Sequence, residues 1–360
     1  MTNHLFTPER LDQIDICFLI GAGRSGTTVL TQLLNVHEKL LATPENKFVM
    51  TFYNLLHQNK TDTVCLNNLL IRYYRQINRN KPQKKGGNLV WSFDNKPLQS
   101  LLQTQEPQGY DRICKAFLLG LQYAGRNNEQ VRVLINKNPD YINWVPELLS
   151  VFPKAKFIIA IRDYRAVANS YRQNPENHYL DRLSLVELFW RADYSALLPL
   201  THLFPEKFLF VHYEDLVMEP MQSIAQVCAF LDIQFQEKML LFHEFLPEKM
   251  EEERALWNDY QREKWSALSK PLNPDSLYKW QNTSTPTQIA FAEWQCGKIG
   301  QHFGYIPTLQ LSLLQKMGLW FICLPRMILF WMLYHGFVRQ YYRIPLKLRM
   351  ILIKVFKFKR

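Results

Sequence analysis

The chain has 360 residues, 47% of them hydrophobic and 21% charged, which excludes a disordered or fibrous polymer and suits one α/β domain with a sizeable core. Its net charge of +11 is unevenly placed: residues 308–360 hold ten of the 43 Lys and Arg and no Asp or Glu, leaving 33 basic against 32 acidic residues elsewhere. With the basic excess confined to one segment that is also rich in large apolar residues, the high pI argues little for nucleic-acid binding, and no nucleic-acid partner is expected.

Residues 1–15, MTNHLFTPERLDQID, lack the apolar stretch of a signal peptide. Ile14–Ile20 reads as a buried strand, followed by a turn with Gly21, Gly23 and Gly26 and then a helix over Thr28–His37. A strand, a glycine turn and a helix N-terminus aim backbone N–H groups at one point, an arrangement suited to phosphate or sulfate. Gly21, Gly26 and Thr28 have the spacing of a nucleotide-hydrolase P-loop, but Thr27 stands in place of its lysine and Arg24 supplies a cation from inside the loop. Glu45 lies 21 residues beyond Arg24, where the chain can return to the mouth of the loop. On its own it reads equally as a first-turn carboxylate of a helix over Asn46–His57.

Residues 60–110, with Lys81-Pro82, Gly86-Gly87, Pro97 and Pro107, are weakly patterned and are expected to hold loops and helices shaping the acceptor side. A strand over Val131–Ile135 precedes Asn136-Lys137-Asn138-Pro139 and a helix over 141–151. A second buried strand, Phe157–Ile161, runs into a helix over 163–173. Arg162 ends that strand and Ser170 follows about two helical turns later on nearly the same face. An arginine fork with a hydroxyl suits an isolated phosphate, although an arginine paired to a carboxylate and a solvated serine fit the same residues. A helix over 184–203 opens on the capping-box pattern Ser184-x-x-Glu187, and a strand follows at 208–213. Strands alternating with helices predict a doubly wound parallel sheet with ligands at the strands' C-terminal ends. The six cysteines are scattered, Cys17 and Cys228 read as buried thiols, and no His or Cys spacing suits a metal, so none is expected. A reducing cytosol fits this usage.

In combination these segments resemble the sulfotransferases that use 3′-phosphoadenosine-5′-phosphosulfate (PAPS), over roughly residues 14–307 and in that family's order. The resemblance implies that Arg24, Ser25, Gly26, Thr27 and Thr28 hold the 5′-phosphosulfate, and that Arg162 and Ser170 hold the 3′-phosphate. It is nearest to the tyrosylprotein branch. Asn136-Lys137-Asn138-Pro139 is similar to a segment whose lysine assists transfer, and Val211-His212-Tyr213-Glu214 to one whose tyrosine, here Tyr213, contacts the donor. Lys270-Pro271-Leu272-Asn273 with Lys279-Trp280 resembles the segment that closes over the nucleotide, implying donor contacts for Lys270, Asn273 and Lys279. Glu45 falls where the family has its catalytic base. With Lys137 as electrostatic catalyst and Arg24 on the sulfonate, these implied roles meet the needs of transfer to a hydroxyl: a base, cations and no obligatory metal.

The chain also departs from that branch. Where the family follows its glutamate with two arginines that receive acidic peptides, this sequence has Lys47 and Thr51. Sugar, lipid, phenolic and peptide-tyrosine hydroxyls therefore all stay open as acceptors. Two competing readings are a P-loop-type nucleotide kinase lacking its lysine and a non-catalytic membrane-bound adaptor on a nucleotide fold. Thr27 with Arg162 and Ser170 opposes the first; the presence of Arg24, Glu45 and Lys137 opposes the second.

The expected organisation is a catalytic domain over 1–307 and a basic, apolar, helical tail over 308–360. Basic residues interleaved with large apolar ones suit an anionic membrane surface, and hence a cytoplasmic protein held peripherally on it. Met317–Val338 has the length of a span, but Pro325-Arg326 interrupts it, which favours an in-plane or re-entrant helix over a clean crossing. The alternative is a segment that packs on the body or completes the acceptor groove.

Overall fold

The computed structural model describes residues 6–56, 91–94, 98, 101, 109–123, 128–173, 185–245, 268–338, 340 and 343. Most of the weakly patterned stretch 60–110, the capping residue Ser184 and the last 17 residues lie outside them.

Five parallel strands form the main sheet: β1 (Asp15–Gly21), β2 (Leu40–Ala42), β5 (Val133–Lys137), β6 (Lys156–Ile161) and β7 (Phe208–His212), in the order β2-β5-β1-β6-β7. A separate antiparallel pair joins β3 (Trp91–Phe93) to β4 (Leu121–Tyr123). The central strand β1 reads Asp-Ile-Cys-Phe-Leu-Ile-Gly and is buried from its second residue onward. Such an unbroken apolar run belongs to a strand covered on both faces. Ile16, Phe18 and Ile20 enter one core, and Cys17 and Leu19 enter the other.

The first core is closed by α4 (Tyr110–Leu119), α5 (Val145–Val151), α6 (Tyr164–Arg172), α7 (Leu185–Leu203) and α11 (Pro286–Gln301). The second is closed by α2 (Thr27–Asn35), α8 (Tyr213–Met218) and α9 (Pro220–Phe230). The doubly wound parallel sheet expected from the alternation is therefore present. The segment expected as one helix over 141–151 begins as a 3-10 turn, Pro139–Trp144, before α5. The helix expected to begin at Asn46 starts at Phe48, as α3 (Phe48–Leu56), so Glu45 sits in the preceding bend. The strand β2 was not expected: with three residues it carries no periodicity to read.

Strand order also locates the ligand crevice. The chain leaves β1 toward β2 through α2 on one face, and leaves β6 toward β7 through α6 and α7 on the other. The loops that follow β1 and β6 therefore part, opening a crevice at the sheet's C-terminal edge.

Two further features concern the C-terminal part. The buried Glu293 of α11 receives Arg165 Nη1 of α6 at 2.7 Å, together with Thr308 N (2.7 Å), Thr308 Oγ1 (2.7 Å) and Leu309 N (2.8 Å). Arg165 is also held by Asp163, which caps α6, and lies 4.4 Å over the Trp280 ring. Beyond this clasp, α12 (Leu313–Leu333) starts on a reciprocal capping box between Ser312 and Gln315. Phe330 and Tyr334 pack with Leu185 and Leu188 of α7, and Phe189 meets Phe330 edge-on at 5.0 Å.

Candidate active site

Side chains from both sides of the crevice meet in the loop after β1. Tyr194 fixes its root: the hydroxyl accepts from Ala22 N at 3.1 Å and donates to Ala160 O at 2.9 Å, joining β1 to β6. Arg24 adopts φ 69°, a left-handed conformation uncommon for a long side chain, and its Nε donates to Ser170 Oγ at 2.9 Å. Gly26 follows with φ 85° and serves as N-cap of α2 without a capping side chain, so the first-turn N–H groups have no side-chain acceptor from that position. A Cβ on Gly26 would stand 2.8 Å from Tyr213 Cε2 and closer still to Cδ2. Only glycine lets the loop lie against that ring. Ser25 and Thr27 are buried beneath the turn.

Arg162 follows β6 directly. Its guanidinium lies 4.4 Å over the Tyr213 ring and makes two long contacts of 3.4 Å, to Arg24 O and Ser276 O. Its Nε is buried and has no hydrogen-bond partner among the described residues. A charged, oriented fork with a donor to spare suits an anionic ligand. The backbone beside it is held by Glu214, which accepts from Asp163 N at 3.1 Å and from the Tyr305 hydroxyl at 2.9 Å. His212 Nδ1 lies 3.2 Å from the same hydroxyl, a structural place for this histidine.

On the other side of β1, Lys137 ends β5 level with Leu19. Its Nζ donates to Glu45 Oε1 at 2.6 Å; the lysine side chain is 9% exposed and the glutamate's 59%. The loop carrying Glu45 is stitched to the strand carrying Lys137. Thr43 N donates to Ile135 O at 2.8 Å, Asn138 Nδ2 donates to Asn46 O, and Asn46 Nδ2 donates to Thr43 Oγ1 at 3.2 Å and to Pro44 O at 3.0 Å. The two asparagines around Lys137 thus act on the glutamate's loop, Asn136 through Thr43 Oγ1 at 3.4 Å. Among the described residues, no group of three or more His, Cys, Asp or Glu is placed to hold a metal ion.

A family model described as the sulfotransferase family matches residues 17–237, which contain every feature just described except Ser276 and Tyr305. The chain belongs to the sulfotransferase family. Its relatives fit the tyrosylprotein branch: a putative protein-tyrosine sulfotransferase of Caenorhabditis briggsae is 26% identical over 269 residues, covering 74% of this chain and 80% of that protein. Protein-tyrosine sulfotransferase A of Caenorhabditis elegans is 23% identical over 277 residues, covering 76% of this chain and 63% of that protein. Among solved structures, the sulfotransferase domain of the Synechococcus PCC 7002 olefin synthase superposes with a TM-score of 0.47 at 21% identity, covering 78% of this chain and 94% of that domain.

In this sulfotransferase the candidate residues fall into two joined groups, Arg24, Ser170, Arg162, Gly26 and Tyr213 in one, Glu45 and Lys137 in the other. Asn273 accepts from Asp275 N at 2.8 Å and caps the turn whose Ser276 reaches Arg162, while Lys270 and Lys279 are exposed on either side of that turn. Two residues that sequence reasoning missed lie beside these groups. Tyr171 packs against Gly23, and burial pushes its phenol up to about 12, with Asp140, Asp193 and Glu45 adding to the rise and Arg24 opposing it. Asp193 of α7 accepts from Asn143 Nδ2 at 2.8 Å, and burial raises its carboxyl to about 7. The signal for Tyr171 was its position next to Ser170; nothing in the local sequence marks Asp193.

Proposed function

We propose that this sulfotransferase moves a sulfonate from PAPS to an acceptor hydroxyl by in-line transfer, with Glu45 as the base. When bound, the donor supplies a sulfonate on a phosphate leaving group. Arg24, Ser25, Gly26, Thr27 and Thr28 would hold its 5′ side, Arg162 and Ser170 the 3′-phosphate, and Tyr213, Lys270, Asn273 and Lys279 the remainder of the nucleotide. The fit rests on this chain's own features: a helix N-terminus whose N-cap glycine offers no side-chain acceptor, a glycine pressed on Tyr213, and the Arg162 Nε, which has no hydrogen-bond partner among the described residues.

The observation that carries the reading is the 2.6 Å pair of Lys137 and Glu45 beside that loop. The exposed carboxylate takes the acceptor's hydroxyl proton onto an oxygen, while the buried ammonium keeps positive charge beside the reacting centre. A pair retained in contact supports an enzyme over a non-catalytic adaptor. Lys47 is bridged to Asp140 at 3.0 Å and Thr51 Oγ1 donates to Lys47 O at 2.5 Å, so this edge is not built as an array of arginines for acidic peptides. The acceptor is stated as a hydroxyl for that reason, with peptide tyrosine among its members.

The deciding experiment is calorimetry and thermal denaturation with adenosine 3′,5′-bisphosphate and with AMP. The bisphosphate should bind more tightly and shift the midpoint more. Arg162→Ala should weaken it by about 1.5–3 kcal/mol, the range for hydrogen bonds to charged groups. Equal binding of AMP and the bisphosphate refutes the assignment of Arg162.

A further inference from the structure

Helix α12 is mostly apolar, broken by Gln315, Lys316 and Arg326, and its second half is covered on one side. Phe330, with Tyr334 just beyond the helix, forms the buried seam against α7, and Cys323 is buried one turn and more before them. On the opposite side Leu313 is 75% exposed, Leu314 80%, Phe321 65%, Trp331 62% and Met332 61%. So many large apolar side chains exposed along one helix mark a surface for docking on a second apolar phase. Among the described residues no single helix is long and apolar enough to cross a membrane; Leu313–Phe321 and Cys323–Gly336 form a pair bent by 56°. The break follows from Pro325, which has no N–H for the carbonyl of Phe321, four residues earlier, and whose ring crowds that carbonyl.

We infer that the outer face of α12 is a membrane-docking surface that lies in the plane of an anionic bilayer. Charge decides between a bilayer and a second copy of the chain. Ten Lys and Arg without one acidic residue fall in 308–360, eight of them after Val338, immediately beyond the exposed face. Paired copies would bring two such segments together, whereas anionic lipid headgroups complement them, and aromatic residues such as Trp331 suit the headgroup level. The seam on α7 holds the helix alongside the body, which matches a helix resting on the bilayer better than one passing through it.

The test is co-sedimentation of the full chain with phosphatidylcholine vesicles, with and without 30% phosphatidylserine, at 0.05 and 0.5 M NaCl, followed by mass measurement in solution. The expected result is pelleting with the anionic vesicles, weakened several-fold by salt but not abolished. The triple variant Phe321→Ser, Trp331→Ser, Met332→Ser should lower the bound fraction at least tenfold while keeping the parent's circular dichroism and melting midpoint. Protein left in the supernatant with both vesicle types overturns the inference. So does vesicle binding that ignores the triple substitution, which would place the attraction in the basic residues alone, and so does a dimer that the substitution dissociates. No nucleotide enters the assay, so its outcome is separate from that of the sulfotransfer reading.

Discussion

Replacing Gly26 with Ala adds one carbon where the loop, α2 and Tyr213 meet. At φ 85° a side chain costs roughly 1–2 kcal/mol in backbone strain. The new Cβ, 2.8 Å from Tyr213 Cε2, must also push the ring away from the loop and out of its 4.4 Å stack with Arg162, a contact of about 0.5–2 kcal/mol. The first term lowers the Tm of the free protein by about 1–3 °C; the second weakens adenosine 3′,5′-bisphosphate about two- to thirtyfold. Calorimetric titration of the parent, Gly26→Ala, Tyr213→Ala and the double variant closes a cycle. Removing the ring relieves the collision, so the double variant should bind nearly as well as Tyr213→Ala alone, a coupling of about 0.5–2 kcal/mol. Strictly additive losses, or full affinity in Gly26→Ala, would show that the ring and the loop do not jointly form the nucleotide site.

Three other changes probe separate parts of the molecule. Glu45→Gln keeps the shape of the side chain and removes its proton affinity; turnover should fall roughly 10²–10⁴-fold with bisphosphate binding nearly unchanged, measured by donor turnover beside calorimetry. Glu293→Ala leaves Arg165 with Asp163 as its one remaining carboxylate, beside Ile306 O, and strips the acceptor from Thr308 and Leu309; denaturant titration should show a loss of about 3–5 kcal/mol. Asp193 holds its proton more tightly in the folded state, up to about 7, than in the unfolded chain. Stability should therefore fall as pH rises from about 4 to about 7, by at most about 4 kcal/mol, and Asp193→Asn should flatten that part of the profile.

The parts of the fold legible in the sequence were those whose signal is local. Ile16–Ile20 is uninterrupted apolar sequence because both faces of β1 are covered, and the glycines after it mark a turn that other residues cannot adopt. The positions of Arg162 at the end of β6 and of Ser170 on the following helix were readable from the apolar run and the helical spacing. Long-range relations were not visible in that way. The contact of Arg24 Nε with Ser170 was not foreseen, because it is set by the adjacency of β1 and β6 rather than by any spacing. Glu45 was placed at the loop mouth by chain length, but its partner Lys137 is 92 residues away and is brought to it by the pairing of β2 with β5, and β2 is too short to announce itself. Asp193 and Asn143 became neighbours only when α7 packed on the turn before α5.

The clasp at Glu293 fixes more than its own neighbourhood. One carboxylate ties Thr308 and Leu309, where the chain leaves the body, to Arg165, three residues past Arg162 on the helix that also bears Ser170. The exit of the C-terminal segment and the cationic wall of the crevice are thus joined through one buried side chain. On the inference that α12 rests on a bilayer, this clasp and the seam on α7 would hold the crevice at a set height above that surface, as a clamp holds a tool. On that inference acceptors would be sorted by where they hold their hydroxyl as well as by what surrounds it.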